Sequence, residues 1–220
     1  CAWEHYNERI GGRSVFVSTS VIVKNYYAIK NEYFTYRSPV GIVTICKLPK
    51  RRMDMSLRPT REEMIKMAVE TRKQVTSAVV SREEMERYPA RVAPMRIPVR
   101  AGDSQAFLVS AQGGEEQVAL VINLHGGGFI KQRTENDELF CRKLALATGC
   151  KILDVDYRVA PEHPFPAGLN ECYDVAVWAW KNGEQLGIDR EKIILCGHSA
   201  GGNFVVGISM LLHESGIFKP

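Results

Sequence analysis

The chain has 220 residues, 45% of them hydrophobic and 25% charged, with a formal net charge of +4. That is ordinary for one soluble globular domain with a small addition, and it excludes collagenous and strongly acidic disordered classes. The basic excess sits in residues 1–52, with nine Lys/Arg against three Glu, while residues 53–220 hold twenty Lys/Arg against twenty-two Asp/Glu. A nucleic-acid surface needs its positive charge on the folded part, so no nucleic-acid partner is expected.

In chain order, Ser14–Val23 is a β-prone apolar run too short to span a bilayer and broken by Lys24. No small-residue cleavage site closes it, so it makes a poor signal peptide. The aromatic and basic residues that follow have no recognisable period. With no initiator methionine and a charge break at Arg52–Met53, residues 1–52 are expected to be a non-native N-terminal extension, read through upstream of Met53 or Met55. A lipid-modified Cys1 is the alternative. The six cysteines (Cys1, Cys46, Cys141, Cys150, Cys172, Cys196) include no close metal-type pair, and nothing demands a disulfide. A cytoplasmic location, no cofactor and no membrane span are therefore expected, with Cys172 and Cys196 as small core residues.

From Met53 the pattern becomes ordered. Thr60 with Glu63 forms a capping box, and Met64, Met67, Ala68, Thr71, Val75 and Ala78 keep a helical spacing. Ser81 with Glu84 opens a second, short helix ending near Pro89. Residues 53–91 thus predict two helices, and Met64 and Met67 either line an apolar pocket or are core. Val92–Arg100 and Gln105–Ser110 predict paired strands joined by residues 101–104. There follow a strand over 118–124, a helix from Asn136 to Thr148 ended by Gly149, and a strand over 151–155. A helix over 167–182 and a strand over 192–196 complete the series. Alternating strands and helices argue for an α/β fold with a doubly wound, mostly parallel sheet.

Three stretches carry chemistry. Ile193-Ile194-Leu195 reads as a buried strand, Phe204–Leu212 as a helix apolar on nearly every side, and Gly197-His198-Ser199-Ala200-Gly201 lies between them. A strand, Gly-x-Ser-x-Gly and a helix make a nucleophile elbow, which lifts the Ser199 hydroxyl beside a helix N-terminus. Val118–Leu124 runs into His125-Gly126-Gly127-Gly128-Phe129, where successive glycines can turn N–H groups toward one point, as an oxyanion requires. This glycine run lacks the Lys-Ser/Thr of a phosphate-binding loop. The third stretch, Asp156-Tyr-Arg-Val-Ala-Pro-Glu-His-Pro-Phe-Pro-Ala167, holds an ordered crossover between strand and helix.

His-Gly-Gly-Gly-Phe, then Asp-Tyr-Arg-x-Ala-Pro-Glu-His-Pro-Phe-Pro-Ala, then Gly-x-Ser-Ala-Gly-Gly-Asn resembles the hormone-sensitive-lipase-like family of α/β-hydrolase esterases. The resemblance runs from about Ile97 to the C-terminus. It departs from the family at His198, where Asp or another small polar residue is usual. It implies an α/β-hydrolase core over 92–220, cap helices over 53–91 (a helix packed on the domain edge is the plainer alternative), and a small-molecule ester substrate with short acyl chains. Ser199 is then the nucleophile, and the N–H groups of Gly126, Gly127 and Ala200 form the oxyanion hole. His125 braces the glycine loop with Gly128, while Glu162 and His163 order the crossover. A serine of this kind needs an acid and a histidine base later in the chain. His213 lies about 21 Å along the helix at ~1.5 Å per residue, His198 adjoins the nucleophile, and Asp156 and His163 precede it. The expectation is the N-terminal portion of a longer esterase whose acid and base lie beyond Pro220. The alternative is a catalytically silent, binding or receptor-like protein of the same fold; oligomeric state is open.

Overall fold

The computed structural model describes residues 35–38, 41–44, 59–74, 79–113 and 117–220. They fall into two compact units, one within Ile22–Met67 and one that includes Ala68–Pro220.

In the smaller unit, β1 (Thr35–Ser38) and β2 (Gly41–Thr44) pair antiparallel, from Thr35 opposite Thr44 to Ser38 opposite Gly41. No period in the sequence announced this pair. The unit also contains the start of α1 (Arg61–Gln74). There the Thr60 N–H donates to Glu63 Oε2 at 2.7 Å and the Glu63 N–H donates to Thr60 Oγ1 at 3.2 Å. Those bonds from Thr60 hold the Glu63 carboxyl below its usual range. Met64 and Met67, expected as pocket lining or core, are 52% and 61% exposed. The expected positions Val75 and Ala78, and the segments 1–34 and 45–58, lie outside the described residues.

The larger unit starts in the second half of α1. In it, α2 (Arg82–Glu86) is capped by Ser81, whose Oγ accepts the Glu84 N–H at 3.1 Å. β3 (Ala90–Val99) and β4 (Gly102–Ala111) pair antiparallel from Ala90 opposite Ala111 to Val99 opposite Gly102. The turn is therefore Arg100–Ala101, tighter than the four residues expected. β5 (Val118–Leu124), α3 (Glu135–Thr148), β6 (Lys151–Asp156), α4 (Ala167–Lys181), α5 (Gly183–Leu186), β7 (Ile188–Gly197) and α6 (Ala200–Ser215) follow. The five-stranded sheet runs β3-β4-β6-β5-β7, with β5 parallel to both β6 and β7 and the β3–β4 hairpin antiparallel on the flank. Pro94 and Pro98, which cannot donate to a ladder, lie on the edge strand β3, where their missing N–H costs least.

Strand alternation sorts the core into two layers. Leu120, Ile122, Leu124, Leu153 and Val155 bury one face with Cys172, Val175 and Ala176 of α4 and Phe204, Ile208 and Leu212 of α6. Val121 and Ile152, one position out of phase, join Cys141 and Ala145 of α3 on the other. The larger unit is thus an α/β core with helices on both faces of a mixed, mostly parallel sheet. α3 is closed by Gly149 in the left-handed conformation (φ 70°). It opens on a capping box the sequence reading missed, in which Asp137 Oδ2 accepts the Thr134 N–H and hydroxyl, each at 2.8 Å.

One reading needs correction. Ile193-Ile194-Leu195 is not buried throughout: Ile193 is, but Ile194, paired with Val121 and outside the buried cluster that Val121 joins, is 49% exposed. Helix α6 carries apolar residues on most sides, as read, but only one stripe of them is buried. Phe204, Ile208 and Leu212 form its buried stripe, while Val206 and Met210 are exposed.

Candidate active site

Parallel strands carry their connections to a common edge, and here the register is close. Leu124 of β5 pairs with Val155 of β6 and with Gly197 of β7, so the glycine loop, the crossover and the serine turn leave the sheet side by side. All three sequence-predicted stretches meet there.

Ser199 sits between β7 and α6 with φ 53° and ψ −117°, a conformation non-glycine residues rarely adopt. The turn is kept that sharp by close backbone approach. A Cβ on Gly201 would stand 1.9 Å from the Leu124 carbonyl oxygen, and one on Gly197 would stand 2.6 Å from the Gly201 carbonyl carbon. The glycines of Gly-x-Ser-x-Gly are thus imposed by steric exclusion, as the sequence reading required. Ala200 opens helix α6, and its N–H, like every first-turn amide, has no acceptor within the helix.

The glycine loop turns through Gly127 (φ 132°), Gly128 (φ 62°) and Phe129 (φ 66°). Its bracing is specific. The fully buried His125 donates from Nδ1 to the Gly126 carbonyl at 2.7 Å, and the Tyr157 hydroxyl donates to the His125 carbonyl at 2.6 Å. The two rings stack at 4.1 Å with 3° between planes, and Phe204 of α6 meets Tyr157 edge-on at 5.0 Å. Burial pushes the Tyr157 phenol up, keeping it a neutral donor. His125 Nε2 lies 3.9 Å from Asp156 Oδ1. Of the three expected oxyanion donors, the Gly126 N–H is already engaged, donating to His198 Nε2 at 3.2 Å.

A contact the sequence did not suggest ties α1 to this edge. Arg72 donates through Nε to the Ile130 carbonyl, through NH2 to the Ala160 carbonyl at 2.5 Å, and through both terminal nitrogens to Glu162. The Ala160 N–H in turn donates to the Phe129 carbonyl at 2.8 Å. Hydrogen bonding from Arg72 lowers the Glu162 carboxyl to about 2. Glu162 thus joins the crossover to Arg72, and the His163 N–H donates to the Val159 carbonyl at 3.0 Å. Below the loop, the buried Asp154 accepts from Asn123 Nδ2 at 2.8 Å and from Arg133 Nε. The Arg133 guanidinium lies over the Phe107 ring, 4.1 Å from its centroid.

Two cavities open at this edge. One of about 360 Å³ is lined by charged residues of the crossover and its surroundings, among them Arg72, Asp156, Arg158 and Glu171. The other, about 370 Å³, lies between Gly126, Gly127 and His198 and the start of α3. Among the described residues no group of three His, Cys, Asp or Glu is placed to hold a metal, and no helix is long and apolar enough to cross a membrane. Burial raises the thiols of Cys141, Cys172 and Cys196, which makes them poor nucleophiles beside Ser199. Cys172 is fully buried core as expected, whereas Cys196 is only partly buried.

Comparison with known proteins bears on residues 121–220, which match the alpha/beta hydrolase fold family. Hormone-sensitive lipase of Mus musculus is 40% identical over 102 residues, which is 46% of this chain and 13% of that protein. Arylesterase of Saccharolobus solfataricus is 41% identical over 96 residues, 44% of this chain and 31% of the relative. The hyperthermophilic esterase of the archaeon Pyrobaculum calidifontis superimposes with a TM-score of 0.57 at 35% identity, covering 72% of this chain and 49% of that one. The chain thus spans about half the length of this esterase and less of the two curated relatives. Over residues 121–220 it matches the alpha/beta hydrolase fold family and is similar to hormone-sensitive lipase and to these esterases.

Proposed function

We propose that this chain supplies the nucleophile and the oxyanion hole of a carboxylic-ester hydrolase acting on short-chain acyl esters. The observation that carries the reading is the Ser199 turn, left-handed at φ 53° and wedged by Gly197 and Gly201 against the end of β5, from which the glycine loop leaves.

In the reaction, Ser199 Oγ attacks the ester carbonyl carbon while a base removes its proton. Negative charge gathers on the carbonyl oxygen as the tetrahedral intermediate forms. The N–H groups of Gly127 and Ala200 are the donors best suited to receive it, with Gly126 holding the loop that presents Gly127. These dipoles are fixed before the substrate arrives, so little reorganisation is needed at the moment of reaction. Collapse expels the alcohol, and water then releases the acid from the acyl-serine. His125, Gly128 and Glu162 keep the loop and the crossover in place. Among the described residues no histidine is hydrogen-bonded to Ser199 Oγ, and the reading assigns the acid and the base to a segment outside them.

The test compares hydrolysis of p-nitrophenyl acetate by the parent and by Ser199→Ala, in protein that also carries the segment bearing acid and base. The variant should lose at least about a thousandfold in kcat/KM, and the 220-residue chain alone should be correspondingly slow. Equal rates for parent and variant in the longer protein would remove the esterase reading and leave a silent, ligand-binding relative.

A further inference from the structure

His198, the neighbour of Ser199 in the turn after β7, has a ring with a definite task. The Gly126 N–H donates to its Nε2 at 3.2 Å. The ring lies so close under the loop that a Cβ on Gly126 would be 2.7 Å from both Cδ2 and Nε2. The same Nε2 lies 3.9 Å from Asp137 Oδ1. The other oxygen of Asp137 is committed to the Thr134 cap, so this carboxylate is held in place at the start of α3. Lys131, from the loop, is the other charged group lining the cavity that His198 shares with Asp137; β7 and α6 contribute none. The ring's side chain is 62% exposed, so protons reach it directly from solvent.

We infer that His198 is the positioning residue of the oxyanion loop, and that only its neutral ring performs this role. A neutral imidazole with its proton on Nδ1 offers a lone pair at Nε2, and the Gly126 N–H uses it. Taking a proton from water at Nε2 converts that acceptor into a donor. Two N–H groups then face each other, and the bond is lost. The imidazolium instead has Asp137 Oδ1 within closing distance, while Lys131 opposes its charge. The ring therefore has two partners and one proton that chooses between them. Acidification moves it from the glycine loop toward α3 and frees the peptide preceding Gly127. The catalytic consequence rests on the esterase reading; the contact does not.

The experiment follows the Gly126 amide and the His198 ring by NMR across a pH titration of the 220-residue chain, with labelled glycine and histidine. The Gly126 amide shift should move with the same midpoint as the His198 ring. In His198→Gln, whose side-chain oxygen can accept near the position of Nε2 but does not titrate, the Gly126 shift should stay at its high-pH value throughout. In His198→Ala it should stay at its low-pH value. A Gly126 amide indifferent both to pH and to His198→Ala overturns the proposal, and the parent titration alone decides this should a variant fail to fold. In the longer protein, ester kcat should fall about tenfold or more on the acid side of that midpoint with KM little changed, since small misplacement of a catalytic group costs up to about a hundredfold. His198→Gln should remove that limb. A limb that persists in His198→Gln overturns the catalytic role. Should Ser199→Ala leave turnover unchanged, the esterase reading fails while the amide titration still decides what His198 does.

Discussion

The serine turn and the glycine loop leave neighbouring strands, yet they are held in opposite ways. The serine turn is fixed by exclusion: Gly201 and Gly197 approach backbone so closely that no side chain fits. The glycine loop and its crossover are fixed by attachment, through His125, Tyr157, His198, Arg72 and the Asp154–Arg133 pair beneath them. Exclusion is all-or-none, because a methyl group either fits or displaces the backbone. Attachment is graded, since each bond can be weakened separately and some respond to protons.

The sharpest way to break this contrast is at Gly201. Gly201→Ala places a methyl 1.9 Å from the Leu124 oxygen, and the turn must open. A loss of about 4 kcal/mol or more is expected, measured by chemical denaturation. A loss near that of an ordinary helical glycine substitution would show that the turn yields and is not fixed by exclusion. Next comes the buried pair under the loop. Asp154→Ala leaves Arg133, whose side chain is 10% exposed, without its main partner, and should cost about 3–5 kcal/mol. Tyr157→Phe removes one hydroxyl and leaves the buried His125 carbonyl unpaired. It should cost about 1–3 kcal/mol and leave the serine turn unaffected, which labelling of Ser199 by an organophosphonate, in protein that also carries the proposed acid and base, would reveal.

The smallest effect belongs to Glu162, which is half exposed and well screened. Its carboxyl is lowered from 4.5 to about 2 by hydrogen bonding to Arg72. A carboxylate whose folded value is depressed adds stability above its unfolded value, and loses it as pH falls from 4.5 toward 2. The melting difference between parent and Glu162→Gln should therefore be small at neutral pH and vanish over that window. A difference unchanged at pH 2 would detach Glu162 from the Arg72 contact.

The same contrast explains what could be read from the sequence. Exclusion writes itself into adjacent residues: Gly197, Ser199 and Gly201 lie within five positions, between an apolar strand and an apolar helix. Strand β5 and helix α3 were legible for the same reason, because period and caps are local. Attachment joins residues far apart. Nothing near Arg72 points to Glu162, ninety positions later, and nothing near His198 points to Gly126. The extent of β7 was underestimated because the charged run Asp189-Arg190-Glu191 precedes the strand read over 192–196, although β7 begins at Ile188 and its edge position tolerates charge on the open side. The β1–β2 pair escaped because it carries no apolar alternation. The Thr134–Asp137 cap was legible and was missed, since attention to Ser/Thr-x-x-Glu passes over Asp at the same position.

One last consequence follows from the backbone angles of Ser199. A side chain held at φ 53° and ψ −117° pays strain of about 1–3 kcal/mol that a glycine would not. The fold would be better off without a side chain at this position. Ser199→Gly should melt higher than the parent while losing the hydroxyl, so a screen for thermal robustness would favour the variant that a screen for turnover rejects.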